Sequence, residues 1–386
     1  MGSVTRFDLE RSRGRPSAPR EDSALPRPND VADLPKVTVV MPAHNMELYV
    51  ERALRSAASQ TYPNLEILVI DDGSTDCTAD IAERFARRHC NVRLVKTANG
   101  GVAAARNLGV ELAESPYVAF LDADDLWAYD KIEKQVAALA GHGHSEEWAA
   151  CYTLYRTVDV DDAIIGNGPV MDARGDVFEE HLECNHVGNG SSLLVRRDVA
   201  LAVGGFNPQY AQNGIGGCED FEFQLKVLQG HKIELVREYG VGYRIHQAQM
   251  SADIWRMALG RLAVIETITA ITSIPKRRRK RILAKTHLMK AQYCKRAGAW
   301  GSALRWLLSA VALSPGITVE KARHRLKRDW HRARQRADNG SHNGHGRLFH
   351  QADPADGIDT GNFTGSPRSG AVFALVGRND QAHEAN

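Results

Sequence analysis

Asp122, Asp124 and Asp125 stand within four residues of one another, directly after the apolar run YVAFL. Three carboxylates so close repel one another unless something positive relieves them. A hard divalent cation meets that need, because Mg²⁺ takes one or two carboxylates and completes its shell with phosphate oxygens and water. A helix N-cap with surface acids accounts for the same letters, since DDLWAYDKIEKQ follows. The run ahead weighs against that reading, because it buries the strand that feeds the acids.

Four other stretches carry chemically useful groups. Asp71-Asp72-Gly73-Ser74-Thr75-Asp76 is a second acidic turn. There Asp72 suits hydrogen bonds from a base or ribose, and Gly73 permits close backbone approach. Thr75 and Asp76 fit an ordinary helix cap. Asn99-Gly100-Gly101-Val102 opens a helical pattern; its amides favour an anion, and Arg106 adds positive charge. Gly217-Cys218-Glu219-Asp220 precedes an apolar helix. One carboxylate there could act as a general base, or simply cap the helix. Tyr243-Arg244-Ile245-His246 ends a strand pattern, and His246 suits a metal or a phosphate, although a lone histidine is more often structural.

The elements that must hold these groups alternate. VTVVMPAHN, LEILVIDD, VRLVKT and YVAFLDADD read as strands. LYVERALRSAASQ, DCTADIAERFARR and GVAAARNLGVELAES read as the helices between them, the first with Val50, Ala53, Leu54 and Ala57 at helical spacing. Such alternation implies right-handed crossovers and a parallel sheet. Open parallel sheets bind ligands beyond the carboxyl ends of their strands, where Pro42 to Asn45, Asp71 to Ser74 and Asp122 to Asp125 all fall. No GxGxxG follows the first strand and no GxxxxGK[ST] occurs, which disfavours a dinucleotide fold and a P-loop. From Cys151 to Gln247 short strands mix with Gly-rich turns and the helix FEFQLKVLQ, an α+β extension of the same sheet. From Asp253 to Arg336 the pattern is helical, with two antiparallel helices joined at Gly298 to Gly301.

Taken in order, VTVVMPAHN, SAASQTYPNLEILVIDDGSTD, NGGVAAARNLG, YVAFLDADDLW, SSLLVRRDVALAVGGF, CEDFEFQLKVL and YRIH resemble the family 2 glycosyltransferases of the GT-A fold. The resemblance covers about Val37 to Gln247. It implies an α/β chain with a GT-A (Rossmann-like), mostly parallel sheet, an α+β acceptor half and a C-terminal helical extension. It also implies inverting, metal-dependent transfer from a nucleotide-sugar donor, commonly a UDP-sugar, to a saccharide or lipid-linked acceptor. By position, the nucleotide contacts fall on Pro42, Ala43 and Asn45, and the pyrimidine-binding aspartate on Asp72. Asp122 falls beside the ribose, and Asp124 on the divalent metal, Mg²⁺ or Mn²⁺. Asp220 is the implied catalytic base, and His246 takes the place of a histidine used near the diphosphate. His44 stands where an aromatic such as tyrosine is common.

The expected domains are a disordered segment over 1–35, the GT-A domain over 36–250, a basic helical extension over 253–336 and a disordered tail over 337–386. Within the GT-A domain, 36–130 is the nucleotide-binding half and 150–250 the acceptor half. The tail's AVFALVG is a candidate docking element. Six cysteines without CxxC pairs argue for a reducing compartment and simple burial rather than disulfides or zinc. With no signal-like apolar run and no spanning segment, the expected location is the cytoplasm, with peripheral attachment to the inner face of the membrane left open. PKRRRKR, with its basic residues over Lys276–Arg281, suits an anionic membrane; nucleic acid is not expected. A competing reading is a non-catalytic protein that binds nucleotide sugars or anionic surfaces, with the basic helices as its working part. A nucleotidyltransferase would need a Gly-rich basic loop after the first strand, which PAHNMELY lacks.

Overall fold

The computed structural model describes residues 34–317, apart from 144, 214, 215, 248 and 253, together with 348–351. The expected loose segment up to 33, the basic stretch 318–336, and most of the tail including AVFALVG lie outside the described residues.

The first half alternates as its sequence requires: β1 (Val37–Ala43), α1 (Val50–Ala58), β2 (Leu65–Asp72), α2 (Thr78–Ala86), β3 (Val92–Thr97), α3 (Val102–Leu112) and β4 (Tyr117–Phe120). Then come β5 (Leu126–Trp127), α4 (Lys131–Ala140), β6 (Trp148–Val158), β7 (Ile164–Asn167), α5 (Phe178–Glu183), β8 (Leu193–Arg196), α6 (Arg197–Ala202), α7 (Gln209–Gln212), α8 (Glu219–Leu228) and β9 (Lys232–Arg244). The strands form one sheet in the order β3-β2-β1-β4-β8-β6-β9-β5, with β7 on β6. β3, β2, β1 and β4 run parallel, as the crossovers predict. β8 is antiparallel to β4 and β6, while β9 is parallel to β6, so the second half continues the sheet with mixed pairing.

The inner parallel strands β1, β2 and β4 are largely apolar because helices cover them, whereas β3 at the edge carries Arg93 and Lys96. Every residue of β1 is buried. α1 turns Val50, Ala53, Leu54 and Ala57 inward, the four that its spacing marks out. α3 lies close to β1 because its inner face is made of small residues; a Cβ on Gly109 would stand 2.3 Å from Val40 Cγ1.

The helical region consists of α9 (Ile254–Ile271), α10 (Lys276–Arg296) and α11 (Trp300–Leu313), the last two forming the expected hairpin. Val264, Ile265 and Ile268 of α9 pack on Phe221 and Leu225 of α8. The basic run of α10 is partly spent inside the protein. Arg278 pairs with Glu179 and Glu180, and Lys285 with Glu183, so these cations help hold α10 to α5. Among the described residues no helix is long and apolar enough to cross a membrane. Leu348–Gln351, assigned by sequence to a loose tail, are instead placed: Leu348 bridges to Ala163 and Phe349 is buried.

Candidate active site

The carboxyl ends of β1, β2 and β4 lie side by side, since β1 pairs with β2 on one flank and β4 on the other. Everything the sequence marked in the first half therefore emerges on one edge.

On the β2 flank the turns are stitched together. Asn45, at φ 54°, accepts from Thr75 N at 2.8 Å through Oδ1, and its own amide donates to Ser74 Oγ at 3.0 Å. Pro42 and Ala43 are buried in the last turn of strand before it. His44 Nδ1 lies 2.8 Å from the Asp72 carbonyl oxygen. Asp72 itself is 3% exposed and accepts from Gly100 N at 2.7 Å and Gly101 N at 2.9 Å. The start of α3 thus receives an anion, as its free amides require, but that anion is the protein's own carboxylate. A carboxylate can accept about four hydrogen bonds, so each oxygen keeps capacity for a second donor.

On the β4 flank the rival reading of a helix cap fails. Leu126–Trp127 is a strand paired with Val241 and Gly242, and α4 begins only at Lys131. The acids therefore sit in a tight link between two strands. Asp125 is the structural member: it is 1% exposed, accepts from Ser191 Oγ at 2.6 Å and from Arg244 N at 3.0 Å. Burial, and then the charges of Asp124 and Asp122, push its carboxyl well above the usual range. Ser191 also accepts from Asp122 N at 3.1 Å, which fixes the link on its other side.

Asp124 keeps 19% of its side chain exposed, and its Oδ2 lies 2.9 Å from Nε2 of His246, whose side chain is 6% exposed. These two come together from positions more than a hundred residues apart. Arg244 holds the arrangement, donating through Nε to the Asp124 carbonyl at 2.7 Å and ion-pairing with Asp162 at 2.5 Å. A carboxylate beside an imidazole is a donor set that a divalent cation accepts. Among the described residues no group of three or more His, Cys, Asp and Glu side chains could hold a metal, so the ligand's phosphates and water must complete any such shell.

Arg106 departs from its expected place. It does not offer free charge at the start of α3; it is 2% exposed and turns inward to Asp122 Oδ1 at 2.6 Å and Glu219 Oε1 at 3.4 Å. Burial opposes its charge, but Asp122, Glu219 and Asp220 more than offset this and hold its pKa above the ordinary value. The reason is local: Gly190 leaves space there, since a Cβ would stand 3.0 Å from Arg106 Nη2. Arg106 thereby ties the acidic link to the first turn of α8. In that turn Asp220 is partly exposed, accepts from Phe221 N at 2.7 Å, and has its pKa pushed up to about 7 by burial and by Glu219. Glu219 and Arg244 sat inside motifs already marked, but their roles depend on contacts that spacing does not encode. Ser191 likewise opens the quoted motif SSLLVRRDVALAVGGF, but nothing in its spacing gave it a role.

Residues 38–160 match the sequence pattern of glycosyl transferase family 2. Over this segment, 123 of the chain's 386 residues, the chain is similar to that family. An uncharacterized glycosyltransferase of Haemophilus influenzae is 42% identical over 105 residues, 27% of this chain and 42% of that protein. Curated relatives of the family are thus matched over less than half their own length, and only 15% in the chondroitin synthase of Pasteurella multocida. Two solved structures share the fold. The mannosyltransferase PcManGT of Pyrobaculum calidifontis, in complex with GDP-Man and Mn²⁺, aligns with a TM-score of 0.53 at 22% identity, covering 77% of this chain and 81% of that one. S. aureus TarS 1–349 in complex with UDP-GlcNAc aligns at 0.51 and 19%, covering 72% and 81%. The GT-A fold is the one the sequence implied.

Proposed function

We propose that this protein transfers a sugar from a nucleotide-diphosphate donor to an acceptor hydroxyl, with inversion and with a divalent cation. The observation that carries the reading is the meeting of Asp124 with His246 on the same strand-end edge where Arg106 ties Asp122 to the first turn of α8. Asp124 and His246 would hold the ion, which when bound supplies positive charge opposite the leaving diphosphate. Asp72 and Asn45, on the far flank of β1, would meet the base and ribose.

Asp220 would take the acceptor's proton. A carboxyl pushed up to about 7 is a stronger base than an ordinary aspartate and is still ionised above neutrality. Removing that proton on the face opposite the departing diphosphate gives inversion at the anomeric carbon. Complexes of the fold's relatives with UDP-GlcNAc and with GDP-Man and Mn²⁺ make uridine and guanosine donors the first to try.

The test is a panel of nucleotide sugars, each assayed for release of free nucleotide with Mn²⁺ or Mg²⁺ and with excess EDTA. Release from at least one donor, abolished by EDTA, is expected. Full release in EDTA would remove the metal from Asp124, and no release from any donor alongside salt-sensitive vesicle binding would favour the non-catalytic reading.

A further inference from the structure

Phe349 lies far from the family match in sequence, yet its side chain is 3% exposed and packs among Leu126, Ala128, Val158 and Ile164. It enters through backbone contacts, with Phe349 N donating to the Asp162 carbonyl at 2.9 Å and Leu348 bridging to Ala163. The ring covers the Leu126–Gly242 pair that joins β5 to β9. The strand is cut to receive it: a Cβ on Gly242 would stand 3.0 Å from Phe349 Cγ. An ordinary side chain at that position would displace the ring, so the glycine and the phenylalanine form a matched set.

The pair under the ring is the one next to the acidic link. Leu126 follows Asp125 directly, and two residues beyond Gly242 is Arg244. Arg244 binds Asp125 Oδ1 through its amide and the Asp124 carbonyl through its guanidinium. Asp162, whose carbonyl receives Phe349 N, also pairs through its carboxylate with Arg244 and with Arg52 of α1 at 2.9 Å. Two elements that carry the ends of this network, the β5–β9 junction and the β6–β7 turn, are therefore closed by one four-residue segment.

We infer that Phe349 is a positioning residue: the segment Leu348–Gln351 acts as a strap that fixes Asp124 and His246 relative to each other. The inference rests on the reading of Asp124 and His246 as the metal-holding pair, but its first test does not. Full-length Phe349→Ala should exchange the backbone amides of Leu126, Trp127 and Gly242 to Arg244 about tenfold faster or more, while those of β1 and β2 stay as in the wild type, because the opening is local. Gly242→Ala should give the same pattern, and Phe349→Leu, which refills most of the space, should restore slow exchange. Binding of Mn²⁺ with UDP should weaken about fivefold or more in Phe349→Ala and recover in Phe349→Leu. Exchange at β5 and β9 within about twofold of the wild type would overturn the strap, as would acceleration spread equally over β1 and β2. Wild type that shows the protection but binds Mn²⁺ with neither UDP nor GDP would count against the metal reading and leave the strap standing as a structural device.

Discussion

Replacing Arg106 with leucine removes a cation that joins the acidic link to α8, and its cost can be worked from the burial of the partners. Arg106 and Glu219 side chains are 3% and 7% exposed, and Asp122 is 26% exposed. Breaking a buried pair from one side typically costs about 3–5 kcal/mol, because the carboxylates left behind are uncompensated. Asp122 can be solvated in part, and Glu219 keeps its bond from Gly217 N at 3.1 Å, so the lower end, about 3 kcal/mol, applies. For a protein of this size, with about 2.1 cal/mol/K of unfolding entropy per residue, that corresponds to a fall of roughly 4–5 °C in Tm. A second readout follows from charge. Arg106 lowers the Asp220 pKa, so its loss moves the acid limb of nucleotide release upward from about 7. Arg106→Lys should recover part of both effects, since an ammonium restores the charge but cannot reach both carboxylates with a planar fork. The assay pairs thermal unfolding with the pH dependence of kcat/KM on the donor found in the panel. A leucine variant that melts within about 2 °C of the wild type, with its acid limb unmoved, would refute the network.

Asp220→Asn should bind donor nearly as the wild type does but turn over about a hundredfold more slowly or worse, the usual size of a general-base contribution; normal kcat would take Asp220 out of that role. Gly109→Ala forces a methyl to within 2.3 Å of Val40 Cγ1 and should destabilise by about 1–3 kcal/mol, a loss that Val40→Ala in the same chain relieves; additive penalties in the double variant would deny the contact. Among the described residues His186 has no hydrogen-bond partner at either ring nitrogen, and burial lowers its pKa to about 4; burial also holds His181 beside it well below the usual histidine range. Because the unfolded chain binds the proton first, these histidines contribute stability above pH 6.5 that is lost as pH falls towards 4. Asp220, raised rather than lowered, works in the opposite sense over that range, so the test is differential: His186→Phe should gain about 3 kcal/mol on the wild type between pH 7 and pH 4 in denaturant unfolding, and parallel curves would count against it.

How far the sequence alone could reach is decided by which contacts are local. Apolar runs of Val, Ile and Leu specify buried parallel strands by themselves, and the turn residues after them specify where those strands stop. That is why the strand-end edge, the helices α1 to α3 and the α10–α11 hairpin were legible. Asp125 was not, because its place is set by Ser191 and Arg244, which arrive much later in the chain, in the short turn before β8 and at the end of β9. The same letters, Asp-Asp-Leu-Trp, would cap a helix if β9 were not there to pair with Leu126 and Trp127. Arg106 makes the point from the other side: a cation at a helix start is ordinarily read as an anion site, but Asp72 already occupies the amides and Gly190 opens an inward path to Asp122. The acids of this edge are therefore of two kinds. Asp72, Asp122 and Asp125 are held by the protein's own donors and give the edge its shape. Asp124 and Asp220 lack such a complete set of partners, and they are the two whose substitution should change chemistry more than stability.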